Sequence, residues 1–254
     1  LTEAGLDVFP AETKRTMALG AARIDFAKLS RARKKMFLAG RILSIRDQGN
    51  IIFLDISDAS GKIQAVLTKK NIKEFSLWKA SLDRGDFIQV AGTLFKTKKG
   101  EQSLEVKEIK ILSKSLLPIP SEWYGMEDDD LRLRHRYLEL LTSPDVSELF
   151  KKKAVFWRSF RDFLLGENFF EVETPVLESV PGGAEAEPFK THLNALDIDL
   201  FLRISLELPL KKLIVGGYEK VFEIGRIFRN EGIDKEHLQD YTQLEFYWAF
   251  HEYD

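Results

Sequence analysis

Cysteine is absent from all 254 residues, which removes disulfide bridges and thiolate metal sites from any account of the chain. Histidine is scarce: His135, His192, His237 and His251 are scattered and show no metal-ligand spacing. No apolar run reaches the roughly 18 residues a membrane helix needs. The first residues also lack the charged-then-apolar pattern of a secretory signal. Such a chain is expected in the cytoplasm, with no membrane partner. Methionine is missing from position 1 and the sequence stops at "FHEYD" with no terminal helix or strand pattern completed, so both ends are expected to be cut.

What is present is ordinary globular composition, 44% hydrophobic and 31% charged, at a length that suits two domains. The formal net charge of −2 conceals an asymmetry. Residues 1–120 hold 22 Lys and Arg against 13 Asp and Glu, which leaves 16 against 27 for the rest, so the halves carry +9 and −11. A basic half coupled to an acidic one is the footprint of one domain that grips a polyanion and another with a different task. The plainer alternative is a solvated basic surface.

Residues 37–112 read as short strands, "FLAGRILSIR", "IIFLDIS", "KIQAVL", "FIQVAGTLF" and "SLEVKEIKIL", with a helical stretch "NIKEFSLWKASL" between the third and fourth. The turn signals "DQGN", "DASG" and "TKKG" separate them. Five strands with a helix at that place is the order of an OB-fold, a small barrel whose second and third strands often bind single-stranded nucleic acid. Strand parity turns Ile52, Leu54 and Ile56 inward with Ile63, Ala65 and Leu67, and leaves Phe53, Asp55 and Gln64 outside. Phe53 is placed to stack on a base and Gln64 to hydrogen-bond a base edge; packing of Phe53 under the N-terminal segment is the competing expectation.

The predicted organisation is α+β. An N-terminal helical or extended segment covers 1–36, the five-stranded barrel 37–114, a linker 115–142 and a second domain 143–254. Pro118 and Pro120 predict a stiff extended stretch in the linker, ahead of the acidic run "MEDDD". A helix then starts with Ser143 as N-cap, Pro144 at its first position and Asp145 in its first turn, and Gly166 is placed to end it. Val146, Leu149, Phe150, Ala154, Trp157, Phe160 and Leu164 make its apolar stripe, with Phe156 and Phe163 off it. A helix apolar on more than one side predicts a subunit interface or, alternatively, a fully buried internal helix.

The stretch "FRNEGIDKEHLQDYTQLEFYW", residues 228–248, interrupts two β-prone runs with a polar connection longer than a hairpin needs. Parity puts Glu223, Gly225, Ile227 and Arg229 on one face, and across the loop Glu245 and Tyr247 are set opposite to Leu244, Phe246 and Trp248. Arg229 offers a rigid fork for a carboxylate or phosphate, and Glu245 a partner for a cation. Glu231 and His237 lie in a loop able to fold over a ligand. Mutual pairing of Arg229 and Glu245 is the bland alternative, and spacing does not decide between them.

"FRNEGIDKEH" followed by "TQLEFYWAF" closely resembles motif 2 of the class II aminoacyl-tRNA synthetases, and the form with "NEGI" and "EFY" is similar to the lysyl-tRNA synthetase family in particular. "GLDVFP", "AGRI", "DASGKIQ", "GTLFKTKKGE", "LPIPSEWYGMEDDDLRLRHRYLEL", "FFEVETPVL", "PGGAEAEPF" and "LIVGGYEKVFEIGRIFRNEGI" resemble successive landmarks of that family, so the likeness runs nearly end to end. It implies an anticodon-binding OB-fold, a dimer-forming motif 1 at "EVETP" with Pro175 at the interface, and a partial class II antiparallel catalytic sheet with helices.

Carried over residue by residue, the resemblance gives Arg229 to the ATP α-phosphate and the amino-acid carboxylate, as the catalytic clamp. It gives Glu231, His237 and Tyr241 to ATP, with Tyr241 stacked on adenine. Glu245 and Tyr247 receive the lysine ε-ammonium, and Glu207 with the backbone of Gly183 the α-amino group. Phe53, Gln64 and Arg41 fall on anticodon-binding positions. The implied partners are tRNA(Lys), L-lysine, ATP and a second copy of the chain, with Mg²⁺ as cofactor. "ISLELPL" departs from the family's usual form but keeps Glu207, Glu187 stands where many relatives are basic, and "HLQDYT" varies the ATP loop. The Gly-rich motif 3 and the acidic Mg²⁺ ligands do not occur in the sequence, so the chain alone is expected to be an incomplete, inactive catalytic unit. The competing expectations are a non-catalytic tRNA-binding fragment or truncated paralogue and, less favoured, an aspartyl- or asparaginyl-tRNA synthetase or a lysylase acting on an elongation factor. Glu245 with Tyr247 counts against the second pair's amino-acid substrates, and the barrel against the lysylase.

Overall fold

Alternation of apolar and polar residues closes the N-terminal half into a barrel in the computed structural model, which describes residues 1–119, 128–232, 234 and 236–252. Its strands are β1 (Met36–Asp47), β2 (Ile51–Asp58), β3 (Gly61–Thr68), β4 (Phe87–Lys96) and β5 (Gln102–Ser113). They join in the order β1-β2-β3-β5-β4, and β4 pairs back onto β1. Only β3 and β5 run parallel, which the helix between β3 and β4 makes possible by carrying the chain across. This is the expected OB-fold. Leu38, Ile42, Ile52, Leu54, Ile56, Leu67, Ile88 and Leu104 are fully buried inside it, each worth about 1.5–3 kcal/mol.

The helices around the barrel are α1 (Leu19–Ile24), α2 (Phe26–Arg31) and α3 (Phe75–Ser81). Leu19 and Ala22 bury their side chains against the barrel, and the Asp58 carboxylate accepts the Leu19 amide at 2.9 Å while pairing with Arg15. The helix expected over residues 71–82 is shorter because Glu74 takes a left-handed conformation at φ 55°, so regular turns begin at Phe75. Asp86 is fully buried, yet its oxygens accept the amides of Asp83 and Ser115 at 2.8 Å and the Lys114 ammonium at 2.9 Å. These donors satisfy a charge that isolated burial would forbid.

Pro120 and the expected acidic run as far as Glu127 lie outside the described residues. Asp128 then caps α4 (Asp129–Arg134) by accepting the Leu131 amide, and α5 (Arg136–Thr142) follows. The chain divides into two compact units, residues 1–146 and 147–254. α6 (Pro144–Gly166) begins at the proline that was expected to open it. It ends at Gly166 as expected, the chain turns through left-handed Asn168 at φ 64°, and Phe169 N–H reaches back to the Leu164 carbonyl at 3.0 Å.

Leu164 alone of the expected α6 stripe is buried, against Phe169 and Phe222. Leu149, Phe150, Phe156, Phe160 and Phe163 are exposed, so a fully buried internal helix is excluded for this chain. The stretch "FFEVETPVL" holds β6 (Phe170–Glu171) and begins β7 (Leu177–Glu178), with exposed Pro175 in the break between them. β8 (Lys190–Leu193), β9 (Ile198–Leu202) and β7 form an antiparallel sheet in the order β7-β9-β8. α7 (Glu207–Val215) leads to β10 (Lys220–Phe228) and β11 (Asp240–Trp248), an antiparallel pair to which β6 adds on the far side of β10, parallel.

A bulge in the barrel supplies a stability test. The β4–β5 register shifts between Ala91 and Gly92, and a Cβ at Gly92 would lie 1.9 Å from the Glu105 carbonyl oxygen. Gly92→Ala therefore forces backbone apart, and urea unfolding should show a loss of about 3 kcal/mol.

Candidate functional site

Nine paired residues lock the register of β10 on β11: Val221 faces Tyr247, Glu223 faces Glu245, Gly225 faces Gln243 and Ile227 faces Tyr241. These eight positions therefore share one face. Val221 and Ile227 pack under Leu206 and Leu210 of the α7 region, and Tyr241 and Tyr247 flank them. Phe222, on the other face, packs with Leu164, Phe169, Ile224 and Leu244. The site is thus a polar row, Glu223, Gln243, Glu245 and Tyr247, let into an apolar floor.

Glu245 is held by neutral donors. Its Oε1 accepts from Ser205 Oγ at 2.9 Å, the Leu206 amide at 3.1 Å and Gln243 Nε2 at 2.9 Å; its Oε2 accepts from the Tyr247 hydroxyl at 3.0 Å. No ion pair of Glu245 occurs among the described residues, so the bland alternative of a pair with Arg229 is overturned. Arg229 lies one residue past β10, donates through Nε to the Ile204 carbonyl at 3.4 Å and sets its guanidinium 5.6 Å from the Tyr241 ring. Burial and the negative charge of Glu245 raise the Tyr247 pKa well above the ordinary phenol value of 10.0.

The other expected amino-acid contacts lie close by. A Cβ on Gly183 would sit 2.9 Å from the Glu207 Cβ and 3.0 Å from Ser205 Oγ, and its φ of 86° suits glycine. Glu207 donates its amide to Ser205 Oγ at 3.1 Å and pairs with Lys211 at 2.7 Å. Arg229, Glu231, His237 and Tyr241 line a cavity of about 300 Å³ together with Gly232, Glu236, Leu238 and Gln239. Asp234 organises its loop by accepting the amides of Glu236 and His237 and the His237 ring Nδ1 at 2.6 Å, contacts that hold the Asp234 carboxyl below its usual range. Ile233 and Lys235 of the same loop lie outside the described residues.

Sequence reasoning missed what lies beneath. Arg203, buried with Glu223, donates Nη1 to Glu223 Oε1 at 2.7 Å and to Thr174 O and Oγ1 at 3.1 Å, and Nε to the Arg226 carbonyl at 2.8 Å. Thr174 Oγ1 in turn donates to Glu223 Oε2 at 2.6 Å. Gly225 makes room, since a Cβ there would meet Arg203 Nη2 at 2.3 Å. The available signal was the parity that sets Glu223 and Gln243 on the Glu245 face; Arg203 and Ser205 carried none.

A second candidate surface belongs to the barrel. Phe53 and Gln64 line one groove of about 920 Å³ together with Phe95, Asp55 and Glu105 and the basic Arg23, Arg46, Lys62, Lys98 and Lys99. Asp55 faces Gln64 across β2–β3, and Gln64 Oε1 accepts from Ser103 of β5 at 2.9 Å, so the amide is oriented. Arg41 is not among the lining residues: it faces Ser57, and its guanidinium lies 4.2 Å from the Phe87 ring, where burial lowers its pKa. Among the described residues no group of three or more acidic, His or Cys side chains is placed to hold a metal ion.

Two family models match the chain: tRNA synthetases class II (D, K and N) over residues 128–254, and the OB-fold nucleic acid binding domain over 37–112. A lysine–tRNA ligase of Moorella thermoacetica is 45% identical over 255 aligned residues, covering all of this chain and 52% of that protein. The lysine–tRNA ligase of Thermoanaerobacter pseudethanolicus is 49% identical over 222 residues, 87% of this chain and 44% of its own length. That of Clostridium perfringens is 42% identical over 255 residues, all of this chain and 50% of its own. The chain spans about half the length of the curated relatives it matches.

The Tyr247 phenol yields a pH test. Because its pKa is raised above the unfolded value of 10.0, it contributes stability that is present below pH 10 and is lost as pH climbs beyond it. Thermal unfolding followed from pH 8 to about 11 should show that alkaline loss in the wild type and a shallower one in Tyr247→Phe.

Proposed function

Because the chain belongs to the class II tRNA synthetases of the aspartate, lysine and asparagine group, we propose that it acts in lysine–tRNA ligation: activation of L-lysine with ATP to lysyl-adenylate, then transfer to the 3′ end of tRNA(Lys). The observation that carries the choice of lysine is Glu245, a carboxylate gathered by four donors that are all neutral. A carboxylate with no cationic partner among the described residues is open to a cationic ligand, which suits the ε-ammonium of lysine and opposes an aspartate or asparagine side chain.

In this reading Glu245 Oε2 and Tyr247 take the ε-ammonium, since Oε1 already accepts three hydrogen bonds and Oε2 only one. Glu207 and the backbone at Gly183 take the α-amino group. Arg229 draws the carboxylate of lysine and the α-phosphate of ATP together, so that a carboxylate oxygen attacks phosphorus and pyrophosphate leaves. No protein nucleophile is needed, and the side chains supply position and charge. Glu231, His237 and Tyr241 line the cavity beside Arg229 and hold the nucleotide, with Mg²⁺ as its expected companion. Phe53 and Gln64 read anticodon bases by stacking and edge hydrogen bonding, with Arg41 as a more distant phosphate contact. A homodimer built at the Pro175 segment and the exposed α6 face completes the proposal, in the cytoplasm.

Arg229→Ala in the full-length protein carrying this sequence should lower lysine-dependent ATP–pyrophosphate exchange by roughly 10²–10³-fold; near-normal exchange would reject the assignment. Phe53→Ala should weaken tRNA aminoacylation by about 10-fold or more, the worth of one stacked base, while exchange without tRNA stays intact. Equal loss of both activities would show that Phe53 has no anticodon role.

A further inference from the structure

We propose that Arg203 is a positioning residue for the amino-acid site, a role that rests on the synthetase reading above. The ion pair it makes with Glu223 is nearly solvent-free, with side chains 4% and 5% exposed. Burial of such a pair is poor evidence for stability, because desolvation offsets the attraction and well-packed apolar residues often serve as well. What this pair does hold is a segment. Arg203 N–H donates to the Val176 carbonyl and the Arg203 carbonyl accepts from Phe228 N–H, both at 2.9 Å, while the guanidinium spans Thr174, Glu223 and Arg226. Main chain and side chain together pin one residue to the β6–β7 connection and to β10.

The four residues that follow each touch a site group. Ile204 accepts from Arg229 Nε, Ser205 and Leu206 donate to Glu245 Oε1, and Glu207 is itself part of the site, beside Gly183. Arg203 is thus the fixed end of a short run that sets the distance between Arg229, which meets the carboxylate of lysine, and Glu245, which meets its ammonium. A shift of about an ångström in that run moves both ends of the substrate relative to the phosphate, and misplacement on that scale costs about 10²-fold in rate. Gly225 fits the same account, since any side chain there would displace the guanidinium.

The test separates positioning from structural support in the full-length protein. Arg203→Met combined with Glu223→Leu replaces the pair by apolar side chains. Its thermal midpoint should stay near that of the wild type, whereas kcat/KM for lysine in ATP–pyrophosphate exchange should fall about 100-fold, with kcat and lysine KM both affected and tRNA binding unchanged. Wild-type stability together with wild-type exchange in the double variant would overturn the proposal. Should that variant not fold, Arg203→Lys decides: it keeps the buried charge, but one ammonium nitrogen cannot reach the four acceptor atoms that the guanidinium holds on Thr174, Glu223 and Arg226, so at least a tenfold loss in kcat/KM is expected, and full activity would overturn the role. A wild-type protein with no lysine-dependent exchange would remove the synthetase reading and this proposal together; lysine-dependent exchange untouched by either variant would remove this proposal alone.

Discussion

Two glutamates face each other across the β10–β11 ladder, and much of the second unit is arranged around that conflict. Like charges directly opposite in an antiparallel pair repel and destabilise it, and Glu223 and Glu245 stand in that relation. The fold answers the two charges differently. Glu223 is neutralised within the protein by a buried guanidinium and a threonine hydroxyl. Glu245 receives only hydroxyl and amide donors. One carboxylate is spent on architecture and the other has no cationic partner among the described residues, so the polarity of the site follows from which partner each strand residue finds.

Residues 203–207 make that division possible. They leave β9 and enter α7, and in five residues they supply a cation to one glutamate, neutral donors to the other and an acceptor to Arg229. Loops positioned by rigid elements commonly carry function. Here β9 fixes one end and α7 the other, so the segment has little freedom to relax.

Period-two patterning made the barrel legible, because a strand with one wet face must alternate: Ile52, Leu54, Ile56, Ile63, Ala65 and Leu67 all point inward and Phe53 and Gln64 share a groove. The same parity put Glu245 and Tyr247 together. It failed where contacts come from distant sequence. Nothing around Arg203 marks it as the partner of Glu223, twenty residues on. Arg41, which only the resemblance set beside Phe53 and Gln64, stands against Ser57 at the far end of β2 and does not line their groove. In α6 the periodicity gave the helix and its apolar residues, while their exposure reflects packing that no local pattern encodes.

The barrel groove carries ion pairs of its own: Arg46 holds Asp55 at 3.0 Å, and Lys107 holds Glu105 at 3.2 Å. A nucleic acid that recruits Arg46 to a phosphate releases a counterion from its own backbone but leaves a bare carboxylate behind, which attracts a cation from solution in turn. In the proposed role the dependence of affinity on salt would be set by Arg23, Lys62, Lys98 and Lys99, which make no ion pair among the described residues, rather than by every basic residue that lines the groove. In that role, nucleic-acid binding in this groove would be less sensitive to ionic strength than the positive charge suggests, and selection would pass from phosphate attraction to the aromatic and amide groups that line it.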